Sequence, residues 1–338
     1  MQMSASADAL HRDAVVFDGL IISNWSREIF EHMHGAGITA ANCTCCIWDD
    51  FKSAMDNIVR WKRWIRENDD ILLQVYSTAD IARAKRENKV GIVLGWQNTS
   101  GIDDQIGYLE LFKELGVGVM QMTYNTQNLS GSGCREDRDS GLSGFGREVL
   151  AEMNRLGILC DLSHVGPKTC EDVILASKKP VAFTHVCPAA LRENPRNKSD
   201  DQLKLIADHG GFVGITVYPW FLRRGNESTI DDFVEAIEYT IDLIGEDRVG
   251  YGTDFTEGYG PDFLDFLGRD KGYGRRIVPV ADAVFPAGLE CIGDTPNITA
   301  TMLRRGWPEA RIRAVMGENW VRFLADAWNE PAAAEAKP

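Results

Sequence analysis

The strongest constraint on the fold is an alternation that runs along most of the chain. Short apolar, β-branched-rich runs recur, separated mostly by segments whose apolar residues have helical spacing. Eight such runs can be read: 14–17, 37–43, 90–94, 116–123, 158–164, 180–185, 211–217 and 249–252. Strand–helix alternation repeated eight times predicts an α/β fold with a parallel sheet closed into a (β/α)8 TIM barrel; the alternative is an open, doubly wound sheet. No Gly-x-Gly-x-x-Gly follows the first run, which argues against the open sheet as a dinucleotide binder.

The intervening segments carry recognisable start signals. The Asp49-Asp50 pair opens a predicted helix over 50–67, and helical spacing also covers 103–115 and 144–156. Ser199-Asp-Asp201 opens a helix over 199–209, and Thr229-Ile-Asp-Asp232 opens one whose stripe runs through Phe233, Ile237, Ile241 and Ile244. Two stretches, 125–143 and 257–297, are too long to be simple connections, and loops after barrel strands serve as lids or interfaces. Neither an internal repeat nor a low-complexity linker is present, so the expectation is one domain over 1–328 with a disordered tail at 329–338.

Composition narrows the function classes. With 44% hydrophobic residues the chain can fill a sizeable core, and a net charge of −14 without a basic cluster argues against a nucleic-acid partner. The first residues lack an apolar signal core, and no run reaches the roughly 18 apolar residues of a membrane span. The expectation is therefore a cytoplasmic protein with its eight cysteines reduced. Cys43, Cys45 and Cys46 match no standard zinc or iron–sulfur spacing and read as strand packing.

In a barrel of this kind the chemistry sits at the C-terminal ends of the strands. Those ends are Asp18, Cys43, Gln97, Tyr124, His164, His185, Tyr218 and Asp254. Two of only six histidines close consecutive runs, which makes His164 and His185 a candidate metal pair. His11, His32, His34 and His209 fall outside strand ends and read as surface residues. Asp254 has the position of a metal ligand, a general base or a turn cap. Arg196 has the chemistry to clamp a carboxylate, or else to pair with neighbouring loop residues.

The stretch from Gly144 to His164, ending in Gly-Ile-Leu-Cys-Asp-Leu-Ser-His, resembles the membrane (renal) dipeptidase family. So do Pro180–His185, Pro195–Asp201, Gly252–Phe255 and Gly317–Trp320, and the resemblance extends from about 13 to 325. It implies an amidohydrolase-type barrel, a two-zinc centre, hydrolysis of dipeptides and, often, a homodimer. Carried over residue by residue, it makes His164 and His185 ligands of one zinc, Arg196 the substrate-carboxylate arginine and Asp254 the catalytic aspartate. The family's histidine and aspartate ligands of the other zinc fall at Leu20 and Ile22. Its bridging glutamate falls at Gln97, and its substrate-facing histidine at Tyr124.

Leucine and isoleucine cannot coordinate a metal, and a neutral amide is a poor bridge between two dications. The remaining set offers His164, His185 and a weak Gln97, with Asp254 or Cys43 to complete it, so at most one zinc ion is expected. Three readings stay open. The first is a non-hydrolytic binding protein or subunit of a larger enzyme assembly, holding a small carboxylate-bearing molecule such as a dipeptide or amino-acid derivative through Arg196 and Tyr124. The second is a mononuclear dipeptidase or amidohydrolase, and the third is metal-free acid–base chemistry by Asp254 and His164 with Tyr124 as donor.

Overall fold

The computed structural model describes residues 5–279 and 282–330. Its strands are β1 (Phe17–Ile21), β2 (Ala40–Cys46), β3 (Leu72–Gln74), β4 (Val90–Trp96), β5 (Val117–Gln121), β6 (Leu159–Asp161), β7 (Ala182–Val186), β8 (Phe212–Ile215) and β9 (Val249–Tyr251). All pair in parallel, in the order β1-β2-β4-β5-β6-β7-β8-β9. The ring closes where Leu20–Ile22 meets Asp254–Phe255: Asp254 N donates to Leu20 O at 2.9 Å, and Ile22 N donates to Phe255 O at 3.1 Å. β3 pairs with the first half of β4 and β5 with the second half, so β3 is an accessory strand outside the ring. The expected (β/α)8 barrel is therefore what the chain forms. Helices on the outside and side chains inside bury both faces of the sheet, which is why its strands read as continuous apolar runs.

The helix signals translate directly. Asp50 caps Phe51–Glu67 by accepting from Ser53 N, and Ser199 caps Asp200–Asp208 through a capping box with Gln202. Thr229 and Asp232 form the same box at the start of Ile230–Ile244. The segment 103–115 is helical only over Tyr108–Glu114, preceded by a 3-10 turn at Ser100–Ile102.

The first strand differs from the reading of 14–17. It is Phe17–Ile21, which places Asp18 within a strand and not at its end. A buried carboxyl is tolerated there because its partners are built in: it accepts from Thr253 Oγ1 at 2.6 Å, Thr253 N at 2.8 Å and Leu20 N at 3.0 Å. His11 is also not a surface residue. It is buried, with its ring nitrogens 2.8 Å from Thr299 Oγ1 and 2.8 Å from Ala36 O. Of the expected tail, 331–338 lies outside the described residues.

One end of the barrel is closed by Trp320, from the helix Asn319–Ala327. Its indole packs on Phe17 and Phe212, at the starts of β1 and β8, and donates to Tyr251 O at 2.9 Å. The polar residues gather at the opposite, C-terminal end. No helix among the described residues is long and apolar enough to cross a membrane.

Candidate functional site

Gln97, Tyr124, His164, Arg196 and Asp254 line one cleft of about 60 Å³ at the C-terminal ends of the strands. They come from the ends of β4, β5, β6 and β9 and from the loop after β7, which is where a parallel barrel displays its reactive groups. His185, the sixth candidate, is fully buried behind His164. Both long loops take part: 125–143 contributes Asn125 and Arg135, and 257–297 contributes Leu264, Leu267 and Val278.

The two imidazoles are held by separate hydrogen-bond chains. Thr184 Oγ1 donates to Asp161 Oδ2 at 2.8 Å and lies 2.7 Å from His185 Nδ1, so the network assigns that ring nitrogen its proton. Asn125 Oδ1 lies 2.8 Å from His164 Nδ1 and assigns it the same tautomer. Both Nε2 atoms are then lone-pair acceptors, and they face each other at 3.1 Å. Burial lowers the pKa of both rings well below the ordinary histidine value, and the charges of Arg196 and Lys198 push the same way. Two facing lone pairs at that separation fit a single divalent ion with bonds of roughly 2.0–2.1 Å to imidazole. Beyond this pair the fit fails. Among the described residues no group of three or more His, Cys, Asp or Glu side chains could hold a metal ion.

The positions where the resemblance expects the other zinc's ligands are filled with hydrocarbon. Leu20 and Ile22 form a buried cluster with Ile47 and Tyr124, covered by Trp48, Phe263 and Leu267. Gln97 Nε2 donates to Thr44 Oγ1 at 3.0 Å, while its buried Oε1 has no partner. Tyr124 stacks on the His164 ring with centroids 4.1 Å apart. Burial and the neighbouring Asp254 charge push its phenol well above the usual range, so it remains a neutral donor.

Arg196 is 1% exposed, and its Nη2 donates to His185 O at 2.7 Å. Its Nε and Nη1 are buried without partners. An unpaired buried donor costs about 1–3 kcal/mol, and two on one guanidinium leave Arg196 short of acceptors among the described residues. Asp254 has a left-handed backbone (φ 61°), a costly conformation for a residue other than glycine. Burial pushes its carboxyl up to about 7, with Arg196 pulling the other way.

Cys43 does not join this site: it packs in the main core, its Sγ 3.7 Å from Ala41 O. Cys45 and Cys46 line a separate cavity of about 310 Å³ that shares the wall residue Ile22 with the cleft. A bulge between Thr44 and Cys46 brings the two sulfurs to 3.6 Å. The sequence reading missed Asn125, Arg135 and the Asp161–Thr184 pair. The available signal was spacing: Thr184 directly precedes a strand-end histidine, as Thr253 directly precedes Asp254, and each threonine is bound by an aspartate of the neighbouring strand.

Fold and site together define an amidohydrolase-type barrel with a histidine pair and an arginine at its polar mouth. The family model "Membrane dipeptidase (Peptidase family M19)" matches residues 24–266, and the chain belongs to that family. A crystal structure of an amidohydrolase from Pseudomonas aeruginosa is 57% identical, with a TM-score of 0.95 over 96% of this chain and 99% of that one. An uncharacterised dipeptidase of Schizosaccharomyces pombe is 30% identical over 262 residues, which is 75% of this chain and 57% of that protein's length. A metallo peptidase from Rhodobacter sphaeroides, solved with a phosphinate mimic of the dipeptide L-Ala-D-Ala, shares the fold at 22% identity and a TM-score of 0.79, over 93% of this chain and 99% of that one.

Proposed function

We propose that this member of the membrane dipeptidase family binds a small carboxylate-bearing molecule and does not assemble a two-zinc hydrolytic centre. It acts as a binding protein or as a subunit of a larger enzyme assembly. One observation carries the reading: Leu20 and Ile22 are packed into an apolar cluster with Ile47 and Tyr124, while the guanidinium of Arg196 keeps two buried donors free beside it. Apolar packing of that kind leaves neither ligands nor polar space for a second dication, whose desolvation costs several kcal/mol unless anionic ligands surround it. Arg196 orients the carboxylate, and Tyr124 offers a neutral hydroxyl next to it.

The facing Nε2 atoms of His164 and His185 favour a second reading, a mononuclear metallohydrolase. One zinc ion, when bound, would supply a water of pKa about 7. In that reading Gln97 is a weak third ligand, and Asp254, pushed up to about 7, holds or releases a proton near neutrality.

The test is metal content by plasma mass spectrometry, on protein purified without chelators or a metal-affinity column, combined with calorimetric titration of small carboxylates. The expected result is less than stoichiometric zinc, together with carboxylate binding that weakens at least tenfold in Arg196→Gln. One tightly held zinc, lost in His164→Ala/His185→Ala, selects the mononuclear reading. Two zinc ions with dipeptide turnover overturn the proposal.

A further inference from the structure

Resting on the carboxylate reading above, we infer that the ligand is a small N-acylated amino acid, with its nitrogen in an uncharged amide, and not a free dipeptide or amino acid. The unpaired polar atoms of the cleft supply the pattern. Arg196 Nε and Nη1 and Arg135 Nε are buried donors without partners, which calls for an anionic acceptor. Gln97 Oε1 is a buried acceptor without a partner, which calls for one N–H. A carboxylate and an amide N–H on one small molecule satisfy both sets, and buried polar atoms of this kind are otherwise paired.

Charge decides between an amide and an ammonium at the far end. The lining holds two guanidinium groups, Arg135 and Arg196, and Asp254 as its one carboxyl, so it carries an excess of positive charge that a monoanion reduces and a zwitterion does not. An aliphatic part of the wall is formed by Ile22, just past the end of β1, and by Leu264, Leu267 and Val278 of the loop 257–297. An ammonium placed against those side chains loses its water and gains no anion, and one placed at Asp254 competes there with the charge of Arg196. An acyl group placed there buries apolar surface instead. Size sets the limit: 60 Å³ holds about four to six waters at roughly 10–15 Å³ each, so the acyl chain is short.

Glycine, glycylglycine and N-acetylglycine separate the possibilities without a question of chirality. Each is titrated into the full chain by calorimetry. N-acetylglycine is expected to bind at least tenfold more tightly than glycylglycine or glycine. Ile22→Asp, which sets a carboxylate in the apolar wall, is expected to shrink or invert that ratio. The wild-type ratio decides the matter even where the variant does not fold. Glycylglycine binding as tightly as N-acetylglycine, or more tightly, overturns the inference and leaves the carboxylate reading intact. Failure of all three to bind, or binding unchanged in Arg196→Gln, overturns both.

Discussion

Asp18 and Asp254 are buried carboxyls both pushed up to about 7 by desolvation, in different settings. Asp18 accepts three hydrogen bonds that hold the barrel seam, whereas Asp254 accepts none from the described residues and opens into the cleft beside Arg196. In an unfolded chain either group ionises near about 3.9. Between that pH and about 7 the unfolded state therefore binds fewer protons than the native state, and stability falls as pH rises. Replacing Asp254 by Asn removes this penalty without touching the seam. The Asn variant is expected to be more stable than wild type at pH 8, on the order of 4 kcal/mol, with most of the difference gone near pH 4. Thermal unfolding across that range checks it, and a constant difference would point to packing and not to the carboxyl's charge. A ligand carboxylate on Arg196 adds negative charge near Asp254, so binding is expected to weaken as pH rises through about 7.

Among the elements, what was legible followed from local chemistry. The caps at Asp50, Ser199 and Thr229 sit in short stretches whose side chains bond their own backbone, and the corresponding helices begin one residue later. The register of β1 was not legible, because a carboxylate in a strand reads as a terminus until Thr253 is seen to satisfy it from across the seam. β3 has three residues and lies outside the ring, so no period could reveal it. The narrow barrel interior also depends on absent side chains. A Cβ at Gly252 would lie 2.3 Å from Thr184 O, and one at Gly214 would lie 2.2 Å from the same atom. That carbonyl belongs to the strand carrying His185 and cannot retreat cheaply. Gly252→Ala is expected to cost about 3 kcal/mol or more, or to abolish folding, as overpacking does at its upper end. Denaturant unfolding measures it; a loss below about 1 kcal/mol would mean that the strands slide freely past one another.

Across the whole molecule, the barrel forms with Leu20, Ile22 and Gln97 at positions where the family resemblance expects metal ligands. Leu20→His, Ile22→Asp and Gln97→Glu together are expected to raise zinc content toward two ions per chain and to introduce dipeptide hydrolysis. The apolar cluster they replace is local, and the histidine pair opposite it is already oriented by Asp161, Thr184 and Asn125. Metal analysis and a dipeptide assay check this. A folded triple variant that takes up no further zinc would mean that Ile47, Trp48 and the lid residues still exclude the ion.

By itself, the sequence determined the barrel, most of its strands and helices, the membrane dipeptidase family and the candidate residues at the strand ends. Periodicity, caps and motifs are local signals that survive without a structure. Tertiary structure alone decided how those residues are placed against one another. Leu20, Ile22, Ile47 and Tyr124 meet in one cluster only because β1, β2 and β5 end at the same mouth of the barrel. His185 lies hidden behind His164, and the unpaired atoms of Arg196 and Gln97 emerge only once every other partner has been placed. Burial and hydrogen-bond satisfaction are properties of contacts between residues far apart in the chain, and no local pattern encodes them.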